Sequence, residues 1–324
     1  MNLIKSKKDY LPWVEKYRPT YLNDLILEET TKTKMYNFFK NKSMSNMIIT
    51  GSPGTGKTST ILCLAKELYK NKFNEAVIEY NASDNRGLET INNSIIYFCK
   101  KKINLHDNLP KLVILDEADN ITKKAQNTLC NLMENYLETT KFVLTCNDYN
   151  KLVEGIQTRC IIIRFNSLSD NLIVPRLKLI CEKEKIIYTD DGLKSILFIS
   201  QGDVRLAINY LEMTYYGFQK ITSNNVYKIC EKPSEFEVKK IINQSLDGNL
   251  KDSLKDILKL KKDGYCNSDI LLTIINYLKQ SDFEDGLKIN LMEIVSNIYI
   301  NINNDSNLQM LKCVAEFYLL KKLI

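Results

Sequence analysis

Histidine is nearly absent: His106 is the only one among 324 residues. That excludes histidine-based catalytic triads and histidine metal sites. Arginine is almost as scarce, confined to Arg18, Arg86, Arg159, Arg164, Arg176 and Arg205. A chain that otherwise relies on lysine keeps arginine where a planar fork of donors is needed. The nine cysteines (Cys63, Cys99, Cys130, Cys146, Cys160, Cys181, Cys230, Cys266, Cys313) include no CxxC pair. An odd count without metal spacing points to reduced thiols in the cytosol or nucleus. No apolar run approaches the ~18 residues of a membrane span, and the opening MNLIKSKKDY lacks the apolar segment of a signal peptide. The net charge of +6 favours an anionic partner only mildly. With 44% hydrophobic residues, the chain has room for about two or three domains with cores of their own.

What is present centres on MIITGSPGTGKTST, residues 47–60. Met47 to Thr50 reads as a buried parallel strand, Gly51 to Lys57 as a turn-rich loop, and Thr58 to Lys70 as a helix. The spacing Gly51-x4-Gly56-Lys57-Thr58 is a P-loop in its confirming strand–loop–helix context. In the loop Gly51, Ser52, Pro53, Gly54, Thr55 and Gly56, the glycines let the backbone curl so that several N–H groups point at phosphate oxygens. Lys57 adds charge at the β/γ end, Thr58 offers a hydroxyl to Mg²⁺, and Ser59 continues the cradle. The chain is therefore expected to bind a nucleoside triphosphate.

Four more strands are expected: 76–80, 111–115, 142–145 and 161–165. The strand over 111–115 ends in Asp116-Glu117-Ala118-Asp119, a Walker B pattern. Asp116 would hold Mg²⁺ through water and Glu117 would polarise the attacking water. Such a pair after a strand can equally open a helix; downstream of a P-loop the catalytic reading is favoured. The strand over 142–145 delivers Asn147 to the same sheet edge, within reach of a γ-phosphate, although an Asn there also suits a turn. Upstream, Pro12 to Pro19 is either a packing strap or, with Val14, Tyr17 and Ile26, an apolar wall for a purine. Strands alternate with helices throughout 20–167, which predicts a parallel, three-layer α/β domain. From Leu168 the pattern turns helical. Pro175 is expected to kink or delay the first of these helices. Arg205 falls in the first turn of a later one, an unfavourable place for a cation unless a phosphate lies opposite. Beyond Pro233, apolar residues recur at three-to-four spacing as a helical bundle without chemistry of its own, either a plain cap or an oligomer contact.

The segments WVEKYRP, GSPGTGKTS, NASDNRG, LDEAD, the strand end at Asn147, Thr158-Arg159-Cys160 and GDVRLAIN occur in this order. The chain thereby resembles the small subunits of the eukaryotic clamp loader, replication factor C, from about residue 10 to 232 and more weakly beyond. Around residues 188–193 and 225–230 it looks most like the roughly 40-kDa subunit called subunit two. The resemblance implies an AAA+ P-loop ATPase domain with a parallel sheet (12–167) behind an N-terminal arm (1–11). It also implies a small helical lid domain (168–232) and an all-α collar (233–324) that closes a hetero-pentamer. It implies ATP and Mg²⁺ as cofactors, a nuclear location, and other replication factor C subunits, a sliding clamp and primer–template DNA as partners. Val14, Tyr17 and Arg18 would line the base, Asn147 would be the first sensor and Arg205 the second. Arg159 would act as an arginine finger on the ATP of a neighbouring subunit.

Three departures from the family pattern stand out. Thr158 replaces the usual Ser but keeps the hydroxyl. Leu27 stands where a glycine is common, so a slightly different adenine pocket is expected. Asn92, Ser94, Ile96, Cys130 and Asn131 occupy positions that are usually basic and face the duplex. Because each phosphate contact adds salt-sensitive affinity, only weak DNA contacts are expected, with Arg86, Lys123 and Lys124 as remaining candidates. Two rivals remain. The DEAD tetrapeptide is also a helicase signature, but a helicase needs a second RecA-like domain, whereas the last third here is helical and has no arginine. A subunit that holds ATP only as scaffold is the other.

Overall fold

The computed structural model describes residues 11–40, 44–82, 88–103, 105, 109–301 and 307–323. Arg86, most of the NASDNRG segment, His106 and all but the last residue of the expected arm lie outside these residues, as does the side chain of Asn92. Five strands, β1 (Met47–Gly51), β2 (Val77–Asn81), β3 (Lys111–Asp116), β4 (Thr140–Cys146) and β5 (Ile161–Phe165), form one sheet. Their order is β2-β3-β4-β1-β5, and every pairing is parallel.

The three central strands, β1, β3 and β4, are buried on both faces, as a sheet covered on both sides requires. Met47 and Ile49 of β1, Leu112 and Ile114 of β3 and Val143 of β4 join one core with Ile61, Leu64 and Ala65 of helix Lys57–Tyr69. The alternate residues Ile48, Val113, Leu115, Phe142 and Leu144 join a second core. There they meet Ile95 and Phe98 of helix Leu88–Lys100, and Leu129, Leu132 and Met133 of helix Lys123–Asn135. This is the three-layer arrangement that alternating strands and helices predict.

The differences from expectation are local. Strand β4 begins at Thr140 because Thr140 pairs with Lys111 at the start of β3. Strand β2 begins one residue late because Ala76 closes the short helix Phe73–Ala76. Pro175 does not delay its helix, which spans Asp170–Lys183 with the proline inside it. At the sixth position of the helix the proline nitrogen cannot donate to the Asn171 carbonyl, so one internal hydrogen bond is forfeited while the helix runs on. The helix Glu29–Lys40 and the two-stranded parallel pair β6 (Ile187–Tyr188) and β7 (Lys220–Ile221) gave no sequence signal that was recognised.

Lys111 is an unusual core residue, only 5% exposed. Its ammonium donates to the carbonyls of Phe98, Cys99 and Lys101 at 2.8, 2.6 and 2.8 Å. One buried cation thus satisfies the orphan acceptors at the end of helix Leu88–Lys100.

The chain divides into two compact units, Met1–Glu184 with Ser200–Asn209, and Lys185–Ile199 with Tyr210–Ile324. In the second, Pro233 precedes a capping box in which Ser234 and Glu237 satisfy each other's backbone at the start of helix Glu235–Leu246. Val238, Ile241, Ile242, Ile257, Ile270, Leu271, Ile274 and Leu278 are buried, on the spacing read from the sequence.

Candidate nucleotide-binding site

Strand β1 ends at Gly51, where a Cβ would lie 2.1 Å from the carbonyl oxygen of Phe165 on β5. Only glycine lets the loop leave the sheet there. At Gly54, with φ +71°, a Cβ would fall 1.8 Å from Oδ1 of Asp203. That same Oδ1 accepts from the N–H of Leu206 at 2.9 Å, capping helix Val204–Phe218, and the N–H of Val204 donates to the carbonyl of Gly54 at 3.3 Å. The loop is therefore packed against the helix start that carries Arg205. Helix Lys57–Tyr69 opens after its N-cap Gly56, so its unpaired N–H groups mark an anion-binding end.

The polar groups gather at the C-terminal ends of β1, β3 and β4. Lys57 Nζ donates to the carbonyls of Gly51 at 2.7 Å and Ser52 at 2.9 Å and to Asn147 Oδ1 at 2.9 Å. Burial holds the pKa of Lys57 below the usual lysine value, with Asp116 opposing the shift. Thr58 Oγ1 lies 3.0 Å from both carboxylate oxygens of Asp116, and the Thr145 hydroxyl donates to the same carboxylate. Glu117 sits in the left-handed region at φ 53°, a backbone conformation unusual outside glycine and concentrated at functional sites. Its carboxylate accepts from Asn120 Nδ2 at 3.3 Å. The Asn147 N–H donates to Asp119 at 3.4 Å, and the Thr50 hydroxyl to the Asn147 carbonyl at 3.2 Å.

Two adjoining cavities flank the loop. One of about 100 Å³ is lined by Pro53, Gly54, Thr55, Gly56, Lys57, Thr58, Ser59, Asp116, Glu117, Thr145, Cys146, Asn147 and Arg205. The other, about 120 Å³, is walled by Val14, Tyr17, Arg18, Pro19, Leu25, Ile26, Leu168, Arg176, Val204 and Ile208, with Gly54, Thr55, Gly56, Ser59 and Arg205 shared. A polar chamber beside an apolar one matches a molecule with a phosphate tail and a flat ring. Cys146 in the polar chamber has its thiol pushed up to about 11 by burial, so at neutral pH it is an unreactive wall.

Every residue expected to bind nucleotide from the chain's own side lines a cavity, except Gly51 and Ser52, whose carbonyls hold Lys57. Leu27 is buried in the core and does not line the base cavity. Arg159 lines neither cavity. Sequence reading missed Arg176, which donates to the Tyr17 carbonyl, and Glu184, which accepts from the Tyr17 hydroxyl and pairs with Lys16. The rarity of arginine marked Arg176 without giving it a role.

Among the described residues, no cluster of three or more His, Cys, Asp or Glu is arranged to hold a metal. The Thr58 hydroxyl and Asp116 carboxylate supply two hard oxygens at one point. That suits Mg²⁺, which keeps several waters and takes its other oxygens from substrate phosphates.

Residues 47–168 match the family described as ATPase family associated with various cellular activities (AAA). Residues 233–316 match the replication factor C C-terminal domain. The chain is 39% identical over 314 residues to replication factor C subunit 4 of Oryza sativa subsp. japonica, covering 96% of this chain and 94% of that one. It is 42% identical over 272 residues to a probable replication factor C subunit 2 of Dictyostelium discoideum, covering 84% and 80%. Relatives numbered two and four thus stand at similar identity, and the finer likeness to subunit two is not singled out. Among solved structures, the Thermotoga maritima RuvB Holliday junction branch migration motor aligns with a TM-score of 0.55 at 18% identity, covering 70% of this chain and 78% of that one. At that identity the likeness is one of fold.

Proposed function

Because the chain belongs to the replication factor C small-subunit family, we propose that ATP held at its sheet edge is hydrolysed only when a neighbouring subunit completes the site. The chain is an AAA+ ATPase subunit of a clamp loader. The observation that carries the reading is the hydrogen-bonded set Lys57, Asn147, Thr58 and Asp116, all facing the polar cavity.

In this reading the loop Gly51–Gly56 and Lys57 hold the phosphates, with Ser59 at the junction of the two chambers. Thr58 and Asp116 hold Mg²⁺, which neutralises charge on the phosphates when bound. Glu117 orients and polarises the attacking water, Asn147 senses the γ-phosphate, and Arg205 contacts it from the helix start. Val14, Tyr17, Arg18 and Ile26 enclose the base. We retain residues 12–167 as the nucleotide domain, 168–232 as the lid and 233–324 as the collar of a hetero-pentamer. The sliding clamp and primer–template DNA are the substrates of loading, and the nucleus is the place of action.

Arg159 is exposed and lies outside both chambers, which supports a role on a neighbour's ATP. A guanidinium supplied in trans contributes about 10³–10⁵ in rate. Arg159→Ala is expected to leave ATP binding by the isolated chain unchanged and to cut turnover of the reassembled loader. Loss of this chain's own binding would refute the assignment. The lone wild-type chain should hydrolyse ATP very slowly, and brisk turnover unaffected by companion subunits would count against the whole reading.

DNA contact from this chain is proposed to be weak. Ile96 and Cys130 pack against the core, and Asn131 is exposed but uncharged.

A further inference from the structure

Arg159 follows the short helix Glu154–Gln157, and its guanidinium folds back over that helix. Nη1 donates to the carbonyl of Gly155 at 2.7 Å. Nη2 forms an ion pair with the carboxylate of Glu134, in the last turn of helix Lys123–Asn135. A Cβ at Gly155 would crowd Sγ of Cys130 at 3.1 Å but would stand in ordinary contact with Nη1 at 3.6 Å. Two anchors from two helices thus fix a side chain that would otherwise sample many rotamers. Guanidinium carries five N–H donors in a rigid fork, so two bonds at one edge leave three donors to present elsewhere.

We propose that Glu134 is the positioning residue of Arg159: it holds the guanidinium in the orientation in which it meets the neighbouring subunit's phosphates. The inference rests on the trans reading of Arg159. A brake is the opposite possibility, in which the carboxylate withholds the arginine from phosphate. The pair is exposed on both sides, 37% and 53%, and exposed ion pairs are weak. Such a pair is too weak to withhold the guanidinium, but while it stays formed it sets which way the three remaining donors face.

The test uses the loader reassembled with its companion subunits, clamp and primed DNA. Four versions of this chain are compared: wild type, Glu134→Gln, Arg159→Ala and the double variant. Glu134→Gln should lower kcat at the served site by about tenfold, with KM unchanged, as expected for a misoriented group. In the Arg159→Ala background the same change should have no further effect. An equal loss in both backgrounds would overturn the inference, because Glu134 would then act independently of the arginine. Unchanged or faster turnover by Glu134→Gln beside a slow Arg159→Ala would also overturn it and leave the trans reading intact. Unaltered turnover by Arg159→Ala would instead defeat the trans reading itself. Failure of the Glu134→Gln chain to join the ring would count against positioning and make the carboxylate an interface residue.

Discussion

Arg176 braces the base cavity from a direction that no nucleotide motif marks. Burial lowers its pKa below the usual guanidinium value, yet it keeps its bond to the Tyr17 carbonyl, 159 residues away in sequence. Burial and Glu184 together raise the pKa of the Tyr17 phenol, so its hydroxyl remains a donor at any physiological pH. A hydrogen bond from a charged group contributes about 1.5–3 kcal/mol. Arg176→Met should therefore weaken ATP binding by the lone chain about tenfold or more, measured by titration with a fluorescent ATP analogue. An unchanged affinity would mean that Glu184 alone keeps Tyr17 in place. Residue identities such as Lys57 and Asp116 were legible because their chemistry is tied to a short spacing. Arg176 and Glu184 act on a backbone carbonyl and a phenol across the fold, and no spacing encodes that.

The elements were legible where apolar period and turn chemistry agreed. Strand β5 was read with its observed ends. Strand β4 was read short because Thr140 and Lys141 look solvated, and only their pairing with β3 makes them strand. Lys111 is the sharper case. A lysine opening a strand reads as an exposed gatekeeper, whereas here it closes the end of helix Leu88–Lys100 from inside the core. Leaving buried acceptors unpaired costs about 1–3 kcal/mol each. Lys111→Met keeps the aliphatic length and removes the donors, so it should destabilise the fold by about 3 kcal/mol or more. Urea unfolding of the purified chain would measure this; a loss within about 0.5 kcal/mol, typical of surface substitutions, would mean that water replaces the ammonium.

For the whole molecule, the order of motifs gave the architecture, because each motif names the strand end or helix start on which it must sit. Charge distribution was harder to read. The surplus of +6 does not say which face meets nucleic acid, and the segment with Arg86 lies outside the described residues. Each phosphate contact steepens the fall of log K with log salt by about 0.9. Arg86→Glu in the assembled loader should reduce that slope by about one if a single contact survives here. Unchanged affinity and slope would show that this chain contributes no grip. The closure of Gly54 onto Asp203 has a consequence of its own. One methyl group at position 54 would injure two places at once, tilting the phosphate cradle and unseating the carboxylate that begins the Arg205 helix. Neither position can drift alone: the loop near the beginning of the chain and the turn two-thirds of the way along it are a single hinge pin.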